Sequence, residues 1–186
     1  MICIEDIAHA LSLQCRFSGH IPEFYSVAQH SVLVSKLVPQ TLKLQALLHD
    51  ASEAYLVDIP RPIKKGLNNY NLLEHKLMLA IAAKFRFKYP LDIAVVAMDD
   101  EMLQFEWDHV VFGTPVQGKT FHSWTPKEAE AYFLDYFKFI NMGKYKPDKV
   151  LCNYCNSSDV SVIVNDYYCN NCGRTFWPDK ILQSPA

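Results

Sequence analysis

The segment LLHDASEAYLVDIPRPIK occupies residues 47–64 and does more than any other part of the chain to decide the fold. Its apolar run ends in the adjacent pair His49 and Asp50, two polar side chains whose burial is costly unless each finds a partner. Glu53 follows on the same helix face as Asp50, and Asp58 lies in a proline-rich stretch too broken for a long helix. Carboxylates this close along the chain repel one another unless a cation or bound protons offset their charge.

Two further residues of metal-ligand type flank the His-Asp pair. His30 precedes it by about twenty residues and Asp99 follows it by about fifty, each in a segment predicted to be helical. Imidazole and carboxylate together suit a divalent ion such as zinc, manganese, iron, cobalt or nickel, and such a site can keep positions open for hydrolysis. The alternative for a buried histidine on an apolar helix is a hydrogen-bonded core residue. The predicted metal ligands are His30, His49, Asp50 and Asp99.

The first 140 residues carry the apolar pattern of helices. Apolar residues recur at spacings of three and four, and the alternation typical of strands is nearly absent. The pattern predicts an all-α bundle over residues 1–143, followed by a basic linker at 144–149. Its predicted helices span residues 4–15, 25–37, 41–54, 68–85, 90–111 and 126–141.

Four cysteines near the C-terminus form two CxxC pairs separated by thirteen residues. In a reducing compartment this spacing is typical of zinc, so we predict a small β zinc ribbon over residues 150–180 and a tail at 181–186. A four-cysteine site is closed to substrate and would stabilise a segment with too small a core, or support a contact between subunits. The alternative is nucleic-acid binding through aromatic side chains of the ribbon. The predicted structural zinc ligands are Cys152, Cys155, Cys169 and Cys172.

Composition limits the partners of the chain. Its 186 residues include 18 basic and 20 acidic side chains, a net charge of −2, which argues against a strongly electrostatic partner such as duplex DNA or an anionic membrane. No apolar run approaches the roughly 20 residues of a membrane span. The N-terminal sequence MICIEDIAHA has acidic residues where a signal peptide would have basic ones, so we expect the cytoplasm, or the host cytoplasm for a phage-encoded protein.

The chain resembles the HD-domain metal-dependent phosphohydrolases, an all-helical superfamily, over roughly residues 4–110. It looks most similar to small bacterial and phage members that include the 5′-deoxynucleotidases and the phage dATP triphosphohydrolases. The resemblance rests on the segments CRFSGH (15–20), FYSVAQHS (24–31), LLHDASEAYLVDIPRPIK (47–64) and MDDEML (98–103). It implies the same four metal ligands and favours Asp99 over its neighbour Asp100. One departure is Gln29, where the relatives commonly have Glu.

The resemblance also implies roles for residues around the metal. Glu53 would position a water molecule or act as acid or base, and Asp58 would protonate the leaving oxygen or orient the nucleotide. Arg16 and Lys64 would bind phosphate, although a solvated surface charge is the alternative for both. Phe17 would stack on the base. For His20, contact with phosphate or the leaving group and a structural hydrogen bond within its turn are both open.

The resulting prediction is hydrolysis of a free deoxynucleotide, with one catalytic divalent ion and one structural zinc. A triphosphohydrolase acting on dATP-like substrates is favoured over a 5′-nucleotidase acting on deoxynucleoside monophosphates. A homo-oligomer is expected from the resemblance alone. Hydrolysis of an alarmone or cyclic dinucleotide uses the same metal chemistry and stays open. The alternative from another class is a nucleic-acid-binding protein or nuclease that uses the zinc ribbon.

Overall fold

The computed structural model describes residues 2–116, 121–142, 157–158, 160–163, 166–171 and 175–176. The chain divides into two compact units, Met1–Asn141 and Met142–Ala186. The first unit is mostly helical, which confirms the predicted all-α class at that level. Its α-helices are α1 (Ile4–Leu13), α2 (Val27–Leu37), α3 (Lys43–Leu47), α4 (Glu53–Leu56), α5 (Arg61–Lys64), α6 (Asn68–Phe85), α7 (Ile93–Glu106) and α8, which runs from Pro126 to Met142. Within the described residues, no helix is long and apolar enough to cross a membrane.

Helix α2 forms the centre of the first unit. It begins at Ser26, whose hydroxyl accepts a hydrogen bond from the backbone N–H of Gln29 at 3.1 Å, the usual role of an N-cap serine. His30 is fully buried, and so are Val27 and Val34 on nearly the same face and Ala28 and Val32 on another, with no more than 1% of any of them exposed. A helix that is buried on most sides lies among other helices, and α2 packs against α1, α3 and α7. This arrangement places His30 in the interior of the molecule.

Helix α7 carries Asp99 towards α2. It begins at Asp92, whose carboxylate accepts a hydrogen bond from the backbone N–H of Ala94 at 3.0 Å. Val95 and Met102 pack in one apolar cluster with residues of α2, and this packing fixes the rotation of the helix. The α-helix ends at Glu106 and continues as a π-helical turn, Trp107–Val111. Turns of this kind are uncommon and occur often at functional sites.

The predicted helix at residues 41–54 is wrong as a single element. A 3-10 turn, Gln40–Leu42, leads into α3, and α4 begins only at Glu53. Between them the backbone makes short-range hydrogen bonds such as Ala51 N–H to Leu48 O at 3.1 Å. His49 occupies the Ala46 carbonyl oxygen, which the Asp50 N–H would use in a continuing α-helix: its backbone N–H donates to this oxygen at 3.5 Å and its ring Nδ1 lies 2.7 Å from it. The His-Asp pair therefore lies in a tight turn and not on a helix.

The described part of the second unit is a three-stranded antiparallel sheet in the order β1-β2-β3. The strands are β1 (Val160–Ile163), β2 (Asp166–Cys169) and β3 (Thr175–Phe176). Val160 of β1 is paired with Cys169 of β2, and Tyr167 of β2 with Phe176 of β3. Of the four predicted zinc ligands, only Cys169 has a described backbone. The other three, Cys152, Cys155 and Cys172, lie outside the described residues.

Candidate metal centre

Three of the four side chains predicted as metal ligands, His30, His49 and Asp99, bring their ligand atoms within 4.8 Å of one another, and Asp50 lies beside the two histidines. The Nε2 atom of His30 lies 3.3 Å from His49 Nε2, 3.0 Å from Asp99 Oδ1 and 3.7 Å from Asp50 Oδ2. Ligands that each lie about 2.1 Å from one ion are separated by about 3.0 Å in octahedral and about 3.4 Å in tetrahedral coordination. The observed separations are close to these values. The donor set of two imidazoles and two carboxylates therefore fits a borderline divalent ion.

Both histidines are oriented by a hydrogen bond at the second ring nitrogen. His30 Nδ1 lies 2.5 Å from Glu106 Oε1, and His49 Nδ1 lies 2.7 Å from the carbonyl oxygen of Ala46. Because each partner is an acceptor, each Nδ1 carries a proton and each Nε2 points to the centre, where it donates to Asp99 when protonated and would offer its lone pair to a metal ion when not. Metal-binding histidines in proteins almost always have such a partner, which fixes the tautomer and the ring orientation.

The charges at the centre favour ionised carboxylates. Burial disfavours the charge of Asp50, but His49 outweighs that effect and lowers the pKa of Asp50 to about 2. Burial likewise opposes the charge of Asp99, yet its hydrogen bonds to His30 and His49 hold its pKa well below the ordinary range. Burial lowers the pKa of His49, but the attraction of Asp50 and Asp99 outweighs it and raises the value overall. A proton would therefore compete with any metal ion for the Nε2 atom of His49.

Glu106 is a residue of the centre that sequence reasoning missed. It is fully buried at the end of α7 and, besides facing His30, accepts hydrogen bonds from the Tyr25 hydroxyl at 2.8 Å and from Arg16 Nη2 at 2.9 Å. Burial opposes its charge, but His30 and Arg16 outweigh the penalty and lower its pKa. One feature of the sequence could have identified Glu106: it follows Asp99 by seven positions and therefore lies on nearly the same face of the helix.

A cavity of about 440 Å³ opens beside the two carboxylates of the centre. This volume lies within the usual range for small-molecule sites. Most of the predicted catalytic and substrate-binding residues lie on its wall, together with apolar residues and one further arginine. The lining residues are Arg16, Phe17, Asp50, Glu53, Asp58, Ile59, Pro60, Arg61, Pro62, Lys64, Asp99, Leu103 and Trp107.

Glu53 is the carboxyl on this wall most strongly pushed towards its neutral form. It is 6% exposed, and its Oε2 atom has no hydrogen-bond partner among the described residues. Burial, followed by repulsion from Asp50 and Asp58, raises its pKa well above the ordinary 4.5. Asp58 is more exposed, and burial raises its pKa as well, against the attraction of Arg16. A carboxyl kept protonated beside a metal centre can donate a proton to a leaving group.

Gln14 holds the segment between these two carboxyl residues. Its side-chain amide donates to the carbonyl oxygen of Glu53 at 2.9 Å and accepts from the backbone N–H of Asp58 at 3.0 Å. One amide side chain thus fixes both ends of the turn that carries the pair. Sequence reasoning missed this residue, because nothing in the sequence around position 14 indicates a partner about forty residues away.

Arg16 lies on the wall but is largely engaged within the protein. Its Nε and Nη2 atoms both donate to Glu106, and Nη1 lies 3.8 Å from Asp50 Oδ2. Phe17 follows in a 3-10 turn, Arg16–Gly19, with a left-handed φ of 55°. Its ring packs edge-on against Trp107 at a centroid distance of 5.3 Å. Phe17 and Trp107 together form an aromatic side of the cavity.

The remaining predicted site residues occupy more peripheral positions. Lys64 donates to Glu74 at 2.5 Å and lies 3.9 Å from Glu53 Oε1. His20 is exposed and is not among the lining residues, and its backbone N–H closes the turn on Phe17 O at 2.9 Å. Its proposed contact with substrate stays a prediction.

Gln29, the departure noted in the sequence, has a structural explanation. Its side chain is 1% exposed, donates to the carbonyl oxygen of His122 at 3.0 Å and accepts from the backbone N–H of Trp124 at 2.8 Å. A glutamate could accept the second bond but could not donate the first. The amide at this position therefore fits the two backbone groups that it contacts.

The chain is similar to two uncharacterized bacterial proteins. It is 48% identical over 105 residues to the uncharacterized protein YfdR of Escherichia coli, a match that covers 56% of this chain and 59% of YfdR. It is 31% identical over 158 residues to an uncharacterized protein of Rhodobacter capsulatus, which covers 70% of this chain and 81% of that protein. No protein-family model matches the chain. By the extent of the second match, the chain belongs to the same family as the Rhodobacter capsulatus protein.

Proposed function

We propose that this chain is a metal-dependent phosphohydrolase of the HD-domain type that acts on deoxynucleotides. The supporting observation is the convergence of His30, His49, Asp50 and Asp99 beside a cavity whose wall carries a buried carboxyl, Glu53, with an unpartnered oxygen. Unpaired buried polar atoms are costly and concentrate at sites of function.

The metal ion would supply Lewis-acid chemistry, since a divalent ion polarises a phosphoryl oxygen and lowers the pKa of water towards neutrality. The chain's own residues then handle the protons. Glu53, held neutral by burial and by neighbouring carboxylates, is suited to give its proton to the leaving oxygen. Asp58, at the far end of the turn held by Gln14, is suited to orient the nucleotide or to share the proton.

The walls of the cavity suit the two ends of a nucleotide. The Nη1 atom of Arg16 lies next to Asp50, where a phosphate group would bind. Lys64 lies on the cavity wall beside Glu53. Phe17 and Trp107 contact each other edge-on and offer aromatic surface to a ligand. A nucleotide base could pack on this surface, since offset and edge-on ring contacts are favourable. Both features support a substrate with a phosphate group at one end and a planar ring at the other.

The favoured substrate is a deoxynucleoside triphosphate of the dATP type, and the alternative is a deoxynucleoside monophosphate. The test incubates metal-reconstituted protein with a panel of both and identifies the released ion. Tripolyphosphate marks the triphosphohydrolase and orthophosphate from monophosphates marks the nucleotidase. Asp50→Ala should abolish hydrolysis, whereas the exposed Asp108→Ala is the matched control and should retain it. Full activity in Asp50→Ala would rule out this site.

The zinc ribbon is a separate proposal. We place one structural zinc on Cys152, Cys155, Cys169 and Cys172 because their CxxC spacing matches four-cysteine sites. The double variant Cys152→Ser/Cys155→Ser should lose one zinc per chain by elemental analysis and keep nucleotide hydrolysis. Loss of salt-sensitive oligonucleotide binding in that variant would instead favour a nucleic-acid role for the ribbon. The proposed homo-oligomer is testable by sedimentation equilibrium of the full chain.

A further inference from the structure

Arg61, a residue of the cavity wall, bridges the carboxylates of Asp99 and Asp100. Its Nη2 atom donates to Asp99 Oδ2 and its Nη1 atom to Asp100 Oδ1, both at 2.5 Å. The side chain of Arg61 is 52% exposed and that of Asp100 is 59% exposed. Water competes for both side chains of such an exposed pair. Arg61 can therefore release Asp100 and bind another anion at little cost in free energy.

The other cations of the wall are less free to change partners. Arg16 is 11% exposed and is bonded to Glu106, which is fully buried, so moving it would leave a buried carboxylate without its counterion. Lys64 is 25% exposed and donates to Glu74 while facing Glu53. Of the cavity-lining cations in the described residues, Arg61 can therefore turn to a ligand at the lowest cost.

The position of Arg61 indicates which part of a ligand it would reach. Asp99 stands between Arg61 and the metal centre, with Oδ1 facing His30 at 3.0 Å and Oδ2 facing the guanidinium. Arg61 is thus separated from the point where the ligand atoms converge by the carboxylate of Asp99, and it lies on a part of the cavity wall that is more exposed to solvent than Asp99. A phosphate linked to the one at the centre would lie within its reach, and its planar fork matches two phosphate oxygens.

We infer that Arg61 binds the outer phosphates of a nucleoside triphosphate in exchange for Asp100, so that the length of the phosphate chain is recognised at this residue. The inference rests on the proposed function and narrows its substrate class to triphosphates. It assigns Arg61 a role in binding and none in the chemical step.

The test measures binding of inorganic tripolyphosphate and of orthophosphate to the full chain by titration calorimetry. The protein is loaded with Co²⁺, and the probes are saturated with Mg²⁺ so that they do not strip the site. Arg61→Ala should weaken tripolyphosphate binding about tenfold or more, the loss expected for charge-assisted hydrogen bonds, and change orthophosphate binding less than about twofold. Arg61→Lys, which keeps the charge but loses the fork, should fall between the two.

Two further variants separate recognition from general electrostatics. Lys65→Ala removes the same charge from an exposed neighbour outside the cavity and should leave both affinities unchanged. Asp100→Ala removes the competing carboxylate and should strengthen tripolyphosphate binding by about twofold to fivefold. That gain should vanish in the double variant Arg61→Ala/Asp100→Ala, because the two residues act through one contact.

The outcomes distinguish this inference from the proposed function. Equal losses in Arg61→Ala and Lys65→Ala, or an unchanged preference for tripolyphosphate in Arg61→Ala, would overturn the inference and leave phosphohydrolysis standing. If tripolyphosphate binds through Arg61 as expected but the protein hydrolyses no nucleotide, the binding site is supported and the proposed phosphohydrolase function is overturned. Hydrolysis of monophosphates alone, with no preference for tripolyphosphate in the unmodified chain, would also overturn the role of Arg61.

Discussion

The Nδ1 atom of His30 lies 2.5 Å from Oε1 of Glu106, and neither side chain is exposed to solvent. This pair connects the proposed metal centre to the cavity, because the second oxygen of Glu106 accepts two hydrogen bonds from Arg16, which lines the cavity. One carboxylate therefore orients His30, a proposed metal ligand, on one side and holds a cavity-lining cation on the other. The orientation of His30 and the position of Arg16 depend on the same buried charge.

We expect Glu106→Gln to weaken metal binding about 10- to 100-fold, the usual effect of losing a residue that orients a ligand. It should also lower the free energy of unfolding by about 3–5 kcal/mol, because Arg16 would remain buried without its counterion. Metal titration and urea unfolding measure the two effects. Glu101→Gln is the matched control, because Glu101 is exposed on the same helix. Unchanged metal affinity in Glu106→Gln would contradict the orienting role.

Glu53→Gln should lower kcat by about 10²- to 10⁴-fold, the range for loss of a general acid, with metal content unchanged. The amide preserves the size of the side chain and cannot give up a proton. Steady-state kinetics on the metal-loaded protein, together with elemental analysis, test this directly. Activity close to that of the unmodified chain would remove Glu53 from the proposed mechanism.

The same variant tests the raised pKa of Glu53 through the pH dependence of stability. In the unfolded chain the carboxyl ionises near 4.5, whereas the folded protein holds the proton to higher pH. The unmodified chain should therefore lose stability as pH rises from that value through the raised folded pKa. Glu53→Gln lacks this contribution, so its melting temperature should rise relative to that of the unmodified chain as the pH increases above about 4.5. The melting temperatures of both proteins are measured against pH in the presence of a chelator. If they change in parallel, the pKa of Glu53 is not raised.

Gln14→Ala should lower kcat about tenfold and change KM less, because the turn that carries Glu53 and Asp58 loses both of its side-chain contacts. The free energy of unfolding should fall by about 1–3 kcal/mol, since a backbone N–H loses its partner. Gln14→Glu keeps the acceptor for Asp58 N–H and should recover part of the activity. Alanine at the exposed Gln40 is the control. A purely structural role would lower stability and leave kcat per folded protein intact.

The sequence predicted those parts of the centre that depend on local pattern. His30 and Asp99 lie on helices that their apolar periodicity predicted. Glu106 and Gln14 were missed because each acts across a long separation in the chain, 90 residues from Arg16 to Glu106 and 39 from Gln14 to Glu53. The broken helix at residues 41–54 has a related cause. Apolar spacing predicts a continuous helix there, but it does not reveal that the ring of His49 takes the carbonyl of Ala46.

Gln29→Glu should destabilise the protein even though it introduces the residue common in the resembling enzymes. The carboxylate would lose the hydrogen bond donated to His122 O and would place a charge at a position that is 1% exposed. A loss of about 1–3 kcal/mol in the free energy of unfolding is expected, and each kcal/mol corresponds to a fall of about 2–4 °C in Tm for a chain of this size.

Because neither contact of Gln29 involves the proposed metal centre, the metal affinity of Gln29→Glu should stay within about twofold of that of the unmodified chain. Thermal unfolding and metal titration decide the question, with Gln40→Glu as the exposed control. A stable variant whose metal affinity rises by more than about twofold would instead show that residue 29 acts on the centre, because an added negative charge near His30 favours a bound cation.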